Sequence, residues 1–265
     1  MTRATYGDVT VELDGDWIAT VEIHRPPNNH FDYDLIMSLS DAYEALDADP
    51  ACRAIVLCTE GRHFCAGANL TAPVANAAPA PSGAADSGSN LYSQAARLIE
   101  ARTPVVAAVQ GAAIGGGLGL ACSADFRVGC SETRMAANFA RLGFHHGFGL
   151  TITLPPIVGQ QKALDLLLTG RRVAGEEAYR MGLLDRFVAL ADVRAEAHRM
   201  AAEIAGSAPL AVASIRATMR AGIGDRYRQA TDHENAEQAR LRVTDDFREG
   251  VRATAERRDP LFKGS

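Results

Sequence analysis

Polar and apolar residues alternate over Asp8–Leu13 and again over Trp17–Ile23, where Trp17, Ala19, Val21 and Ile23 fall on one face. Asp14-Gly15-Asp16 between them is hairpin-turn chemistry, so the spacing predicts a pair of strands. The stretch His24–His30, with two prolines and two asparagines, continues neither strand nor helix and reads as a loop. Asp32 then stands as an N-cap before Leu35, Ile36, Leu39, Tyr43 and Leu46, which share one helical face. Over Arg53–Thr59 the alternation stops and Ala-Ile-Val-Leu-Cys predicts a buried strand.

Glu60–Leu70 is a polar, glycine-containing turn. From Ala72 to Ser89 the chain is nearly all Ala, Pro, Gly and Ser, too poor in large apolar residues to pack a core. This segment, about 72–90, reads as a mobile insertion within the domain, because the sheet pattern resumes after it. Leu91, Ala95, Leu98 and Ile99 mark a helix running to Thr103. The next 22 residues, Thr103–Ala124, carry no charge. Within them Val105–Val109 predicts a buried strand, Gly115-Gly116-Gly117 a sharp turn, and Leu118–Cys122 the start of a buried helix. Asp125–Val128 reads as a short strand. Phe139–Gly159 is punctuated by glycine and proline around a Leu150–Leu154 run. Helices are predicted at Lys162–Thr169, Glu176–Met181 and Val193–Ala205, and the chain stays helical beyond Pro209. The expected organisation is an α/β core over residues 1–205 followed by a helical region over 206–265.

Composition narrows the function classes. A formal net charge of −5 argues against nucleic acid as the main partner. Five cysteines with no CxxC pair suggest neither a disulfide framework nor a metal site, and favour a reducing compartment. No apolar leader opens the chain, and Gln110, Pro104 and the glycines make a membrane span of Thr103–Ala124 unfavourable, so the expected location is cytoplasmic.

Two turns share one design. Cys65-Ala66-Gly67-Ala68 follows the strand at 53–59, and Ile114-Gly115-Gly116-Gly117 follows the strand at 105–109. Parallel strands ending on one sheet edge would bring these turns together, and two convergent backbone N–H groups are what a developing oxyanion needs. Glycines that merely permit tight turns explain the same spacing, and both explanations stand at this point. Other glycine-loop chemistries fail. No Lys-Ser/Thr follows as a phosphate loop requires, the dinucleotide-binding glycine spacing is incomplete, and there is no GxSxG elbow.

HFCAGANL, followed by VVAAVQGAAIGGGLGLACSADFRV, closely resembles the crotonase (enoyl-CoA hydratase/isomerase) superfamily. RPPNN, TGRRVAGEEAYRMGLLDRFV and DFREGVRATAERRDPLF extend the resemblance over nearly the whole chain. It implies a spiral ββα core, a helical C-terminal trimerisation region giving a homotrimer or hexamer, and acyl-CoA substrates, with coenzyme A as part of the substrate and no other cofactor. It implies further that the Ala68 and Gly116 N–H groups form an oxyanion hole for a thioester enolate. The Ala66 carbonyl would meet the adenine, and the His24–Asn29 loop would line the CoA site. Phe262 and Lys263 would contact CoA, and Arg25, Arg62, Arg257, Arg258 and Lys263 are the cations for its phosphates.

The chain departs from the family pattern where hydratases carry carboxylates. Gly119 and Phe139 stand at the two glutamate positions, and Gly147 where some relatives carry an aspartate. Asn69 replaces the usual aspartate and Thr254 the usual aromatic residue. Hydration moves two protons, which acid–base groups must supply. His145 and His146, in Phe144-His145-His146-Gly147, are the expected replacements, for hydrolysis, isomerisation or decarboxylation through an enolate. His30 is a weaker choice, and His63 and Cys65 fit turn-capping and packing roles. Asp125 and Arg127 read as a structural pair beneath the glycine turn. The alternative is an acyl-CoA binding protein that keeps the backbone donors and lacks proton transfer.

Overall fold

The computed structural model describes residues 2–69 and 91–265. Three antiparallel strands open the chain: β1 (Thr2–Tyr6), β2 (Val9–Leu13) and β3 (Ile18–Ile23). β2 and β3 are the predicted hairpin, closed by the Asp14 carboxylate accepting the Asp16 and Ile18 N–H groups. β1 is an unpredicted addition. It lies at the sheet edge with mostly exposed residues, so no apolar alternation marks it. α1 (Tyr33–Ala48) starts where expected, with Asp32 accepting the Leu35 N–H at 2.9 Å.

The chain continues through β4 (Ala54–Thr59), α2 (Leu91–Glu100), β5 (Val105–Val109), β6 (Ala112–Ile114), α3 (Gly116–Ser123), β7 (Phe126–Gly129) and β8 (Arg134–Ala136). Then come α4 (Leu150–Val158), α5 (Gln160–Thr169), β9 (Val173–Ala174), α6 (Gly175–Arg180), β10 (Arg186–Phe187) and α7 (Val193–Ala205). Three helices end it: α8 (Pro209–Met219), α9 (Ile223–Leu241) and α10 (Asp245–Glu256). The expectation of a mobile insertion at 72–90 falls on residues outside those described.

One sheet has seven strands in the order β1-β2-β3-β4-β5-β7-β10, parallel from β3 onward. A second sheet holds β6, β8 and β9. Every residue of β4 and β5 is buried, because the large sheet is covered on both faces. Their alternation feeds two cores. Ile55, Leu57, Val105, Ala107 and Val109 pack in the core that contains the α1 and α2 residues, while Ala54, Val56, Cys58, Val106 and Ala108 pack with α7.

The C-terminal helices attach unequally. α9 lies across α2 and α4, and α10 packs on the 3-10 turn Ala140–Leu142. α8 buries none of its residues, though Leu210, Ile215 and Met219 are 86%, 64% and 79% exposed. It is tied to the core by charge. The Asp125 carboxylate accepts from Arg216 Nε at 3.0 Å and Arg220 Nη1 at 3.0 Å. The expected Asp125–Arg127 pair is no ion pair: Arg127 pairs with Asp185 at 2.8 Å, donates to the Leu183 and Ala124 carbonyls, and meets Asp125 only at its backbone carbonyl, 3.5 Å away. Residues two apart on β7 and its approach point to different neighbours, so each finds its partner from another element.

Candidate active site

β4 and β5 are parallel neighbours, so the turns leaving them emerge at the same sheet edge. Backbone hydrogen bonds sew the two turns together: Phe64 N–H to the Gln110 carbonyl at 2.8 Å, Cys65 N–H to Ala112 at 2.9 Å, and Ile114 N–H to Cys65 at 3.0 Å. Gly117 is required at this seam, because a Cβ there would run into the Cys65 carbonyl. Gly115 turns the chain into α3 with φ of 58° and offers no side-chain cap. Gly116 therefore opens α3 with an unpaired N–H, as the first turn of a helix must. Among the described residues, neither the Gly116 N–H nor the Ala68 N–H has a hydrogen-bond partner.

A third loop supports this edge. The Asn29 amide donates to the carbonyls of Glu60 at 2.8 Å and His63 at 2.6 Å, and its oxygen accepts the Arg25 N–H at 3.0 Å. The Ala66 N–H donates to the Asn28 carbonyl at 2.9 Å, while the Ala66 carbonyl accepts nothing from the described residues. The Gly67 carbonyl receives His30 Nδ1–H at 2.9 Å and the Phe31 N–H at 3.3 Å. His30 thus grips the peptide unit whose N–H belongs to Ala68. His63 Nδ1 accepts the Ala112 N–H at 3.2 Å, a turn-capping role, and burial followed by the nearby Arg62 charge lowers its pKa. Cys65 is fully buried, which pushes its thiol up to about 12 and leaves it unreactive.

Aromatic rings fill the space around the glycines. A Cβ on Gly116 would strike the Phe31 ring, and one on Gly119 would lie 2.6 Å from Phe148 Cβ. Phe31 and Phe148 meet edge to face at 5.4 Å, as do Phe139 and Phe144. At Gly147 the side-chain space is taken by the Tyr92 hydroxyl and the Gln238 amide. Tyr92 donates to Gln238 Oε1 at 3.1 Å, and Gln238 donates to the His145 carbonyl at 3.1 Å. Burial, then the Glu234 charge, pushes the Tyr92 phenol up to about 12.

The two histidines stack at 4.1 Å, with His233 of α9 edge-on to His145 at 5.8 Å. His145 Nδ1–H donates to the His146 carbonyl at 2.8 Å. His146 Nε2 lies 2.8 Å from Thr151 Oγ1 and 3.7 Å from Glu234. Burial, reinforced by His145 and His233, lowers the His146 pKa to about 4, so the ring is neutral near pH 7. No group of the described residues is arranged to hold a metal ion.

Among the expected CoA-contacting residues, Arg25 lies in the loop whose Asn28 carbonyl accepts the Ala66 N–H. Arg25 is held by Asp8 at 2.6 Å and Asp32 at 2.8 Å, and these partners outweigh burial and keep it charged. Arg258 pairs with Glu249 and Glu256. Phe262 and Lys263 belong to a tail folded on α10, where the Lys263 N–H donates to Asp246 at 2.7 Å. Arg62, beside the 24–31 loop, carries no ion pair among the described residues. Phe31, Phe148, Tyr92, Gln238 and Glu234 are site residues that the sequence pattern missed. Each reaches the site through a tertiary contact, and only Phe31, between the His24–His30 loop and the Asp32 cap, and Phe148, inside the glycine-punctuated stretch, stood near a recognisable signal.

A sheet that is parallel from β3 onward, with the turns after β4 and β5 joined by backbone hydrogen bonds, defines a mixed α/β fold. The chain belongs to the enoyl-CoA hydratase/isomerase family, whose model matches residues 15–265, within the crotonase superfamily. It is similar to a carnitinyl-CoA dehydratase of Salmonella enteritidis, 31% identical over 252 residues that cover 93% of this chain and 95% of the relative. An enoyl-CoA hydratase/isomerase structure from Pseudoalteromonas atlantica superposes with a TM-score of 0.84 at 28% identity, covering 97% of this chain and 100% of the other. A carnitinyl-CoA hydratase structure from Mycobacterium avium does so at 0.84 and 27% identity, covering 98% and 100%.

Proposed function

We propose that the protein converts an acyl-CoA thioester through an enolate whose oxygen is held by the Ala68 and Gly116 N–H groups. The observation that carries this reading is the pair of sewn turns that leaves those two donors free at one sheet edge. Proton transfer falls to His146, two residues before the ring that fills the Gly119 space. It is neutral near pH 7, has an unengaged ring nitrogen, and needs no carboxylate at positions 119, 139 or 147. Hydrolysis, isomerisation, decarboxylation and the dehydration named for the Salmonella relative are the outcomes such a site supports. Of the expected cations, Arg62 and Lys263 make no ion pair among the described residues and are the ones free to meet the CoA phosphates. No helix among the described residues is long and apolar enough to cross a membrane. The exposed apolar side chains of α8, Ile215 and Met219 one turn apart, fit assembly into a trimer or hexamer.

The test is turnover of a panel of enoyl-, 3-hydroxyacyl-, malonyl- and carnitinyl-CoA esters by wild type and by Ala68→Pro, which removes one donor at an exposed position. The expected result is turnover of at least one ester and a loss on the order of 10²–10³ in rate in the variant. Equal rates in both proteins contradict the reading. A second reading, binding without turnover, is favoured by the rings that fill the Gly119 space and by the apolar Phe139. Tight binding of an ester with no turnover of any member of the panel would select it.

A further inference from the structure

The hydrogen-bond chain that begins at His146 ends on a carboxylate that the reading above does not use. Glu234 is fully buried on α9. Its Oε2 accepts the Gly149 N–H at 2.8 Å, and its Oε1 accepts the Thr151 N–H at 3.1 Å and the Thr151 hydroxyl at 2.6 Å. All three contacts bring protons to it. The group is therefore an ionised carboxylate set on the first turn of α4, where unpaired N–H groups favour negative charge. Burial raises its pKa, and these donors pull against that rise.

Thr151 has one hydroxyl proton and gives it to Glu234. What the hydroxyl turns toward His146 Nε2, 2.8 Å away, is a lone pair, so Nε2 must carry the imidazole proton. His146 Nδ1 is then the bare nitrogen, and no described residue hydrogen-bonds to it. The other tautomer would require Thr151 to turn its proton away and leave a buried carboxylate oxygen short of a donor. Among the described residues, the titratable groups facing His146 are His145 from its own loop and His233 and Glu234 from α9; Glu237 of α9 faces His145 and His233, and Tyr92 of α2 faces Glu234.

We propose that Glu234, acting through Thr151, is a positioning residue that holds His146 as its Nε2–H tautomer and presents Nδ1 as the basic nitrogen. The catalytic half of this proposal rests on His146 being the proton-transfer group. The geometric half does not.

The experiment is nitrogen-15 NMR of the full chain labelled at histidine, with the His146→Ala spectrum identifying the His146 signals. Between pH 6 and 8 the wild type shows His146 protonated at Nε2 alone. Thr151→Val keeps the branched shape and the Glu234 contact to Gly149, and gives a mixture of tautomers. Thr151→Ser restores the wild-type pattern. Glu234→Gln keeps an acceptor for the α4 N–H groups without the charge, and also gives a mixture. A wild-type Nδ1–H signal, or an unchanged tautomer in both Thr151→Val and Glu234→Gln, overturns the proposal. In turnover, His146→Ala loses roughly 10²–10⁴-fold in kcat. Thr151→Val loses a smaller factor at unchanged KM and is rescued by Thr151→Ser. A His146→Ala protein as active as wild type overturns the catalytic half, while the tautomer spectrum still decides the geometric half.

Discussion

Gly119 and Phe148 share one space between them. A glutamate introduced at 119 would have its Cβ 2.6 Å from Phe148 Cβ, the rigid end of that side chain, with ring carbons at 2.8 and 2.9 Å. Gly119→Glu is therefore expected to lower stability by about 1–3 kcal/mol or more, from overpacking alone, and to confer no hydration of an enoyl-CoA. Phe148→Ala keeps the Cβ that blocks the space and removes a buried ring, so Gly119→Glu combined with Phe148→Ala should unfold at a lower temperature than Gly119→Glu alone. His146 makes a second residue-scale prediction. Its pKa is depressed to about 4 in the fold, so between that value and the ordinary 6.5 the unfolded chain binds more protons. Its contribution to stability is complete above pH 6.5 and is lost as pH falls toward 4. Glu234, raised by burial, works in the opposite sense, favouring the fold as it takes up a proton. Urea midpoints measured from pH 4 to 7 should fall more steeply on acidification for wild type than for His146→Ala.

At the scale of elements, the charge cluster on Asp125 does what apolar packing does elsewhere. α8 buries no residue, and Arg216 and Arg220 anchor it through a carboxylate that is 15% exposed and also accepts the Val105 N–H at 2.8 Å. Asp125→Ala would leave two half-buried guanidinium groups without their partner and is expected to cost on the order of 3–5 kcal/mol, read from urea unfolding. The same cluster shows where sequence reading stops. α1 and α7 were legible because a cap or a regular apolar stripe announces them, and β4 and β5 because a buried parallel strand has no polar positions. α4 was not, since Pro155 and Pro156 lie within it and argue locally against a helix. β6, β8 and β9 are two or three residues long and carry no period to detect. The Asp125–Arg127 pair failed for a related reason: spacing along a chain does not say which way two side chains near a strand will turn.

For the whole molecule, the exposed Ile215 and Met219, one turn apart on α8, are the apolar side chains that a single chain leaves uncovered. Ile215→Asp together with Met219→Asp, one turn apart on the same side of α8, should dissociate the proposed trimer or hexamer to monomers, measured by sedimentation velocity. An unchanged sedimentation coefficient would move the interface elsewhere. The meeting of the two glycine turns was legible in the sequence, because both follow buried runs that pair as parallel neighbours, whereas the choice of Ala68 and Gly116 came from the family resemblance. The side-chain part of the site was not legible. Tyr92, Gln238 and Glu234 come from helices whose approach depends on the packing of α9 across α2 and α4, which no local pattern encodes. The central claim is that two backbone N–H groups, rather than a carboxylate, meet the substrate. A crystal structure with a slowly reacting acyl-CoA bound tests it most directly. The account predicts the thioester oxygen within about 2.7–3.1 Å of both the Ala68 and Gly116 nitrogens. A thioester oxygen out of reach of either nitrogen would contradict it.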